Sequence, residues 1–300
     1  MKPIVSLAVL FSIASVAVGQ EDQSSVNVMS FNIRFDNPAD GPDAWPHRKD
    51  WVAEIIREHA DIVGMQEVKK NQLDDLKERL PNYEFYGVGR DDGNEAGEYV
   101  PLAWKQDRFE AVEKGVFWLS ETPDEPSNGW DANLNRISTW ARLKDKQSAK
   151  QVLVLNTHFD HQGEQARRES AKLMREWVAK HAKDDAVIVT GDFNTTAKSV
   201  PYKNLTADSG ATTLRDSRML AKTPEGPEST WNGFKEIVPG RRIDFIFTTA
   251  PVEVRDYRTL DETREGRFSS DHLPIVATLN IGSQRRRGTV GETASESSSG

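Results

Sequence analysis

Five short stretches spread along the chain each set an amide, carboxylate or imidazole beside the apolar residues of a strand. They are Ser30-Phe31-Asn32-Ile33-Arg34, Val63-Gly64-Met65-Gln66-Glu67, Asn156-Thr157-His158, Gly191-Asp192-Phe193-Asn194 and Ser270-Asp271-His272-Leu273-Pro274. In each, an apolar run of strand character leads up to or follows the polar residues, and loops clustered at one edge of a sheet are where function gathers. A fold that serves all five must bring strand ends from the whole length of the chain to one edge.

The intervening sequence reads as alternating strands and helices. Strands are expected over Val26 to Ile33, Asp61 to Met65, Glu84 to Val88, Leu102 to Lys105, Glu110 to Leu119, Ile137 to Leu143, Val152 to Asn156, Ala186 to Thr190, Ile243 to Phe247 and Leu273 to Ile281. Helices are expected from Trp45-Pro46, with Trp51, Val52, Ile55 and Ile56 at helical spacing, over Asn71 to Leu80, and over Gln165 to His181. Glu121 to Asn135, rich in Pro, Asn, Asp and Gly, is a long loop. No repeat of fixed period is present. This pattern makes an α/β protein, and by itself it fits a doubly wound sheet as well as a sandwich.

Several residues in the five stretches suit phosphoester chemistry. Hard magnesium prefers oxygen ligands and keeps several waters, so Glu67 at the end of a buried strand suits metal binding. Asp192 and Asn194 are two apart, so in extended backbone both side chains share a face. A carboxylate there can take a proton from water, and an amide can donate to phosphate. A histidine beside a carboxylate gains a fixed tautomer and a raised pKa, which suits His272 near Asp271. Alone, Glu67 reads as a solvated carboxylate and Gly191-Asp192 as a turn.

Together, in this order and with Arg242-Ile243-Asp244-Phe245 upstream of the last, the stretches resemble the endonuclease/exonuclease/phosphatase superfamily, whose namesake nuclease is DNase I. The resemblance covers roughly residues 26 to 281. It implies a four-layer α/β sandwich, two packed β-sheets flanked by helices, with the site at one edge of the sheets. It implies Glu67 as the main metal ligand, with Asp271 aiding metal or water placement, and Mg2+ as the ion, with Mn2+ as the substitute. It implies that Asp192 activates water and that Asn194 and Asn32 bind phosphate. It pairs His272 with Asp244 and makes His158 a phosphate-contacting group that stabilises the leaving oxygen. Arg136, in Asn135-Arg136-Ile137-Ser138-Thr139-Trp140, stands where relatives set an arginine or tyrosine against the phosphate. Many relatives carry an acidic ligand where this chain has Arg34, which leaves one carboxylate fewer and weighs against a permanent two-metal mechanism.

Composition narrows the function class. The chain has 300 residues, no cysteine and a formal net charge of −8, so one large domain is possible and stability rests on its core. Met1-Lys2, the apolar run Ile4 to Val18 and the small-x-small end Ala17-Val18-Gly19 read as a signal peptide over residues 1–19. A secreted or periplasmic location follows. Residues 20–281 form the expected domain, and residues 282–300, with Arg285-Arg286-Arg287, an expected disordered low-complexity tail. The acidic balance weighs against tight binding to duplex DNA. Glu121, Asp124, Glu125 and Asp131 read as an acidic rim beside the phosphate site, and Trp45, Trp130 and Trp231 as rings able to stack. His47, His59 and His181 read as structural, and His161 as a pocket-lining candidate.

The expected function is a divalent-metal-dependent phosphoesterase in which activated water attacks phosphorus directly. A small molecule or lipid head group is favoured as substrate over nucleic acid. A DNase I-like nuclease is the alternative enzyme, and an inactive binding protein on the same fold the alternative of another class. Nothing in the sequence implies a stable partner, and a monomer is expected.

Overall fold

The structure, a computed structural model, describes residues 25–282. The expected signal peptide and, apart from Gly282, the expected tail over residues 282–300 lie outside the described residues. Twelve strands are described. They are β1 (Ser25–Asn32), β2 (Ile62–Gln66), β3 (Tyr83–Tyr86), β4 (Leu102–Lys105), β5 (Phe109–Trp118), β6 (Ile137–Asp145), β7 (Gln151–His158), β8 (Ala186–Asp192), β9 (Arg215–Asp216), β10 (Asp244–Thr248), β11 (Val252–Thr259) and β12 (Ile275–Ile281). The main helices are α1 (Trp45–His59), α2 (Lys70–Arg79), α3 (Glu164–His181) and α4 (Val200–Leu205).

The strands form two six-stranded sheets, ordered β11-β12-β1-β2-β4-β3 and β5-β6-β7-β8-β10-β9. Side-chain alternation with period two sorts the core into three apolar layers. Met29, Phe31, Val63 and Met65 of the first sheet meet Trp51, Val52, Ile56, Leu73 and Leu76 of α1 and α2. Val26, Val28 and Ile62 meet Val152, Val154, Ile188 and Ile246 between the sheets. Leu153, Leu155, Val187, Val189, Phe245 and Phe247 meet Met174 and Val178 of α3. Each such side chain, fully buried, contributes about 1.5–3 kcal/mol relative to exposure. Helix, sheet, sheet, helix is the expected four-layer sandwich.

The inner faces of the central strands change character along their length. β1 runs Val26, Val28, Ser30, Asn32, and β7 runs Val152, Val154, Asn156, His158. β8 runs Ala186, Ile188, Thr190, Asp192, while antiparallel β10 begins at Asp244 and continues to Ile246. Register places Asn32 beside Gln66, His158 beside Asp192, and Asp192 beside Asp244. The space between the sheets therefore passes from hydrocarbon through a buried polar band to a cluster of functional groups at one edge.

That polar band ties the two sheets together. Gln66 Nε2 donates to Asn156 Oδ1 at 2.7 Å and to Ser30 Oγ at 3.2 Å, and Asn156 Nδ2 donates to the Met65 carbonyl at 2.7 Å. Gly64 makes room for it, since a Cβ there would lie 2.1 Å from Thr190 Oγ1 and 2.6 Å from Asn156. Gly64→Ala is expected to destabilise the protein by roughly 1–3 kcal/mol, the usual cost of overpacking a filled core. A denaturant midpoint unchanged by the substitution would contradict this close approach.

Three local expectations need correction. Trp45 offers no ring for stacking on a ligand: it is 1% exposed in the first turn of α1, with Nε1 donating to Asp75 at 2.9 Å. β11 escapes the apolar pattern because it is an edge strand, bulged between Val254 and Asp256 and half solvated. The four acidic residues of the Glu121 to Asn135 loop do not rim the functional cavity. Asp131 instead accepts from Gln165 and Ala166 N–H at the start of α3, and Glu121 accepts from the Trp130 N–H. Trp130 is likewise absent from the cavity lining.

Candidate active site

The five stretches converge on one cavity of about 440 Å³, lined by Arg34, Glu67, Arg136, His158, Asp192 and Asn194 together with Asp271 and His272. Asn32 and Asp244 stand directly behind this wall. Asn32 Nδ2 donates to Glu67 Oε1 at 3.0 Å and to Asp192 Oδ2 at 3.1 Å, joining the two sheets. Arg48 Nη1 ties the Ile33 carbonyl to that of Ser269, and Ser270 Oγ donates to the Asn32 carbonyl at 2.7 Å. The chain ends that carry Asn32 and His272, far apart in sequence, are thereby fixed together.

The backbone bends at the site. Arg34, Glu67 and Asn194 have φ of +58°, +61° and +45°, a left-handed conformation that costs a non-glycine residue about 1–3 kcal/mol. Asn194 is therefore not extended beyond Asp192, as the shared-face expectation required. Its N–H turns back onto Asp192 Oδ1 at 2.9 Å, and its side chain reaches His158 Nε2 at 3.0 Å. Both side chains still line the cavity, by a turn rather than by strand periodicity.

Glu67 has one further hydrogen-bond donor besides Asn32 and one ion-pair partner. The Phe35 N–H donates to Oε2 at 3.2 Å, and Arg34 Nη1 lies 3.9 Å from Oε2. The same Arg34 nitrogen lies 3.8 Å from Asp271 Oδ2, so one guanidinium bridges the two carboxylates expected to hold metal. Asp40 restrains that guanidinium with bonds of 3.0 and 3.2 Å. The tightest potential donor set is slightly different: one ligand atom each from Glu67, Asp192 and His272 lies within 4.8 Å of the others. Asp271 faces the same cavity outside that set. Burial raises its pKa, against the pull of His272.

Two histidines in this cavity have opposite charge states. Burial alone would lower the pKa of His272, but the Asp244 and Asp192 carboxylates outweigh it and hold it well above the usual histidine value. His272 Nδ1 meets Asp244 Oδ2 at 2.9 Å, and Nε2 lies 3.8 Å from Asp192 Oδ2. His158 is pushed well below that value, first by burial and then by the cationic Arg136 and Arg90. One imidazole is charged and the other neutral. Asp192 is pushed up to about 7, by burial and by the Asp244 carboxylate, with His272 pulling it back.

Arg136, 4% exposed, bonds Asp160 Oδ2 through Nε at 3.2 Å and His161 Nδ1 through Nη2 at 3.0 Å. Among the described residues its Nη1 has no hydrogen-bond partner. Asp160, held down to about 2 despite burial by the Gly163 and Gln162 N–H groups and by Arg136, keeps that guanidinium in place. His161 lines the cavity, and so does Trp231. Among the remaining histidines, His47 is exposed and His181 stacks on Trp177 at 4.1 Å, away from the cavity.

Sequence reasoning missed Phe35, Glu98, Asn133, Leu134 and Arg241, which with Ile243 complete the lining. They sit in irregular segments with no periodic signal. Only the Asn135-Arg136 neighbourhood of Asn133 and Leu134 offered a hint.

As to what the residues can hold, a cavity wall with the Glu67, Asp192 and Asp271 carboxylates matches the oxygen preference of a hard divalent cation. Arg136 Nη1, buried and unpartnered, matches an anion such as phosphate. The chain is similar over most of its length to several known proteins. A structure described as an endonuclease/exonuclease/phosphatase from Bacteroides vulgatus is 42% identical, covering 86% of this chain and 99% of that one, with a TM-score of 0.82. The Bacteroides thetaiotaomicron mannosyl-6-phosphatase Bt3783 is 38% identical, covering 85% and 99%, with a TM-score of 0.79. The uncharacterized protein L388 of Acanthamoeba polyphaga mimivirus is 32% identical over 248 residues, 77% of this chain and 91% of its own length. Enzymes of this family use divalent metals and hydrolyse phosphoester bonds. With the family model matching residues 29–272, nearly the whole of the two-sheet body, the chain belongs to the endonuclease/exonuclease/phosphatase family.

Proposed function

We propose that the protein is an exported, magnesium-dependent phosphomonoesterase acting on a compact phosphate ester such as a hexose 6-phosphate. The observation that carries this is the meeting of Glu67, Asp192 and His272 within 4.8 Å at the wall of a cavity of about 440 Å³, a size that suits a small ester. The mannosyl-6-phosphatase at 38% identity supports the substrate class.

In this reading Glu67, with Asp271 in the same wall, would hold the cation, which when bound would neutralise phosphate oxygens and acidify water. Asp192, whose pKa burial and the Asp244 carboxylate raise toward that of a useful base, takes the proton of the attacking water. Arg136 and Asn194 hold the phosphoryl oxygens, and His272, charged by Asp244, donates to them as charge develops. Asn32, expected on the phosphate, instead donates its Nδ2 hydrogens to Glu67 and Asp192 and so positions those carboxylates. The water oxygen bonds to phosphorus as the ester P–O bond breaks on the opposite side. Neutral His158 is placed to stabilise the departing oxygen, which becomes the alcohol by taking a proton from solvent.

The test is hydrolysis of mannose 6-phosphate and of plasmid DNA by purified protein, each with magnesium and with excess chelator. Phosphate release from the monoester that vanishes with chelator and exceeds DNA cleavage is expected. Asp192→Asn should lower kcat by roughly 10²–10⁴-fold with little change in KM. Unchanged turnover in chelator would sink the metal reading, and efficient salt-sensitive plasmid degradation would promote the nuclease. Export is checked separately: a mature N-terminus at Gln20 on protein recovered outside the cytoplasm supports it.

A further inference from the structure

Glu98 has no part in the phosphate chemistry above, yet it lines the same cavity. The side chain is 17% exposed, and Oε2 accepts from Arg90 Nη1 at 2.7 Å. Isolated bridges from Tyr99 to Val68 and to Gly89 pin this loop beside the end of β2. Burial raises the Glu98 pKa, Arg90 opposes that, and the charge of nearby Glu67 adds to it. A largely buried ion pair of this kind contributes little to stability compared with apolar residues of the same volume. Its place in the wall calls for another explanation.

The rest of the wall suggests one. Arg241 lies over the Trp231 ring at 5.3 Å, giving a planar, partly apolar surface in the same cavity. An aromatic surface together with a carboxylate that only accepts hydrogen bonds suits a ring with an apolar face and several hydroxyl donors. It disfavours a leaving group that carries further negative charge.

We propose that Glu98, positioned by Arg90, is a specificity-determining residue that accepts hydroxyl hydrogen bonds from a polyhydroxylated leaving group and repels an anionic one. The proposal rests on the phosphomonoesterase reading. Two substrates separate the possibilities: mannose 6-phosphate, whose leaving group carries hydroxyls, and p-nitrophenyl phosphate, whose leaving group carries none. Wild type, Glu98→Gln and Glu98→Ala are compared on both in magnesium. The ratio of kcat/KM for sugar ester over aryl ester should fall roughly tenfold to a hundredfold in Glu98→Ala, the scale of a hydrogen bond to a charged acceptor, chiefly through KM. Glu98→Gln, which keeps an acceptor oxygen and a similar shape, should fall less. Fructose 1,6-bisphosphate should gain on mannose 6-phosphate in both variants. An equal loss on both monoesters would mean a structural role and overturn the proposal. So would a changed magnesium dependence, which would make Glu98 a metal ligand. A wild type that hydrolyses neither monoester defeats the underlying reading, whereas one that hydrolyses both at a ratio indifferent to Glu98 defeats only this inference.

Discussion

Glu67→Gln is expected to lower kcat by about 10³-fold while the protein stays folded, the size of losing several kcal/mol of transition-state charge stabilisation. The amide keeps an oxygen for the Asn32 Nδ2 bond of 3.0 Å, so the local scaffold loses little. What it loses is the negative charge at the point where Asn32, Asp192 and Arg34 converge. The effect should not be rescued by raising magnesium to tens of times the level that saturates the wild type. Steady-state kinetics across a magnesium titration, with a thermal melt as control, makes the measurement. A variant of wild-type rate would remove Glu67 from the metal site, and a collapsed melting temperature would make the substitution uninformative about metal without touching the second variant below.

The pH dependence should report the charged histidine. His272 has its folded pKa raised, so its favourable interaction with Asp244 is complete below the ordinary histidine value near 6.5 and is lost as pH climbs through the raised value. Activity that needs the imidazolium should therefore decline on the alkaline side. Asp244→Asn removes the strongest raising influence on His272, the 2.9 Å partner of Nδ1. The alkaline limb should move toward lower pH, and kcat near pH 8 should drop by about 10²-fold. Relief of repulsion also lowers the Asp192 pKa, so the acid limb should move the same way. The measurement is kcat against pH for both proteins. A variant with the wild-type profile would break the proposed pairing.

Much of the architecture was legible because its signals are local. Leu102–Lys105 falls where the apolar run predicts a strand, and α3 begins one residue before its expected start. Strands and helices in the body follow hydrophobic period, which neighbouring residues decide. β11 was not legible, since Val252–Thr259 is an edge strand whose exposed face carries charge. At the site, Glu67, His158, Asp192, Asp271 and His272 were readable as polar groups at strand ends, and the structure does gather them. Glu98 and Arg241 were not, because they reach the cavity from irregular loops where no periodicity marks a side chain's direction.

The sequence by itself determined the order of strands and helices, the polar residues that end them and the resemblance that implies two packed sheets. Only the tertiary structure decided the electrical character of those residues. His158 and His272 are the same side chain in the same cavity, yet one is neutral beside Arg136 and Arg90 and the other charged between Asp244 and Asp192. Asp192 owes its raised pKa first to burial between the sheets and then to Asp244, its partner across an antiparallel register. Propensity and alternation act over a few residues, whereas desolvation and Coulomb interactions depend on which distant segments share a few ångströms of space, and that is set by the packing of the sheets.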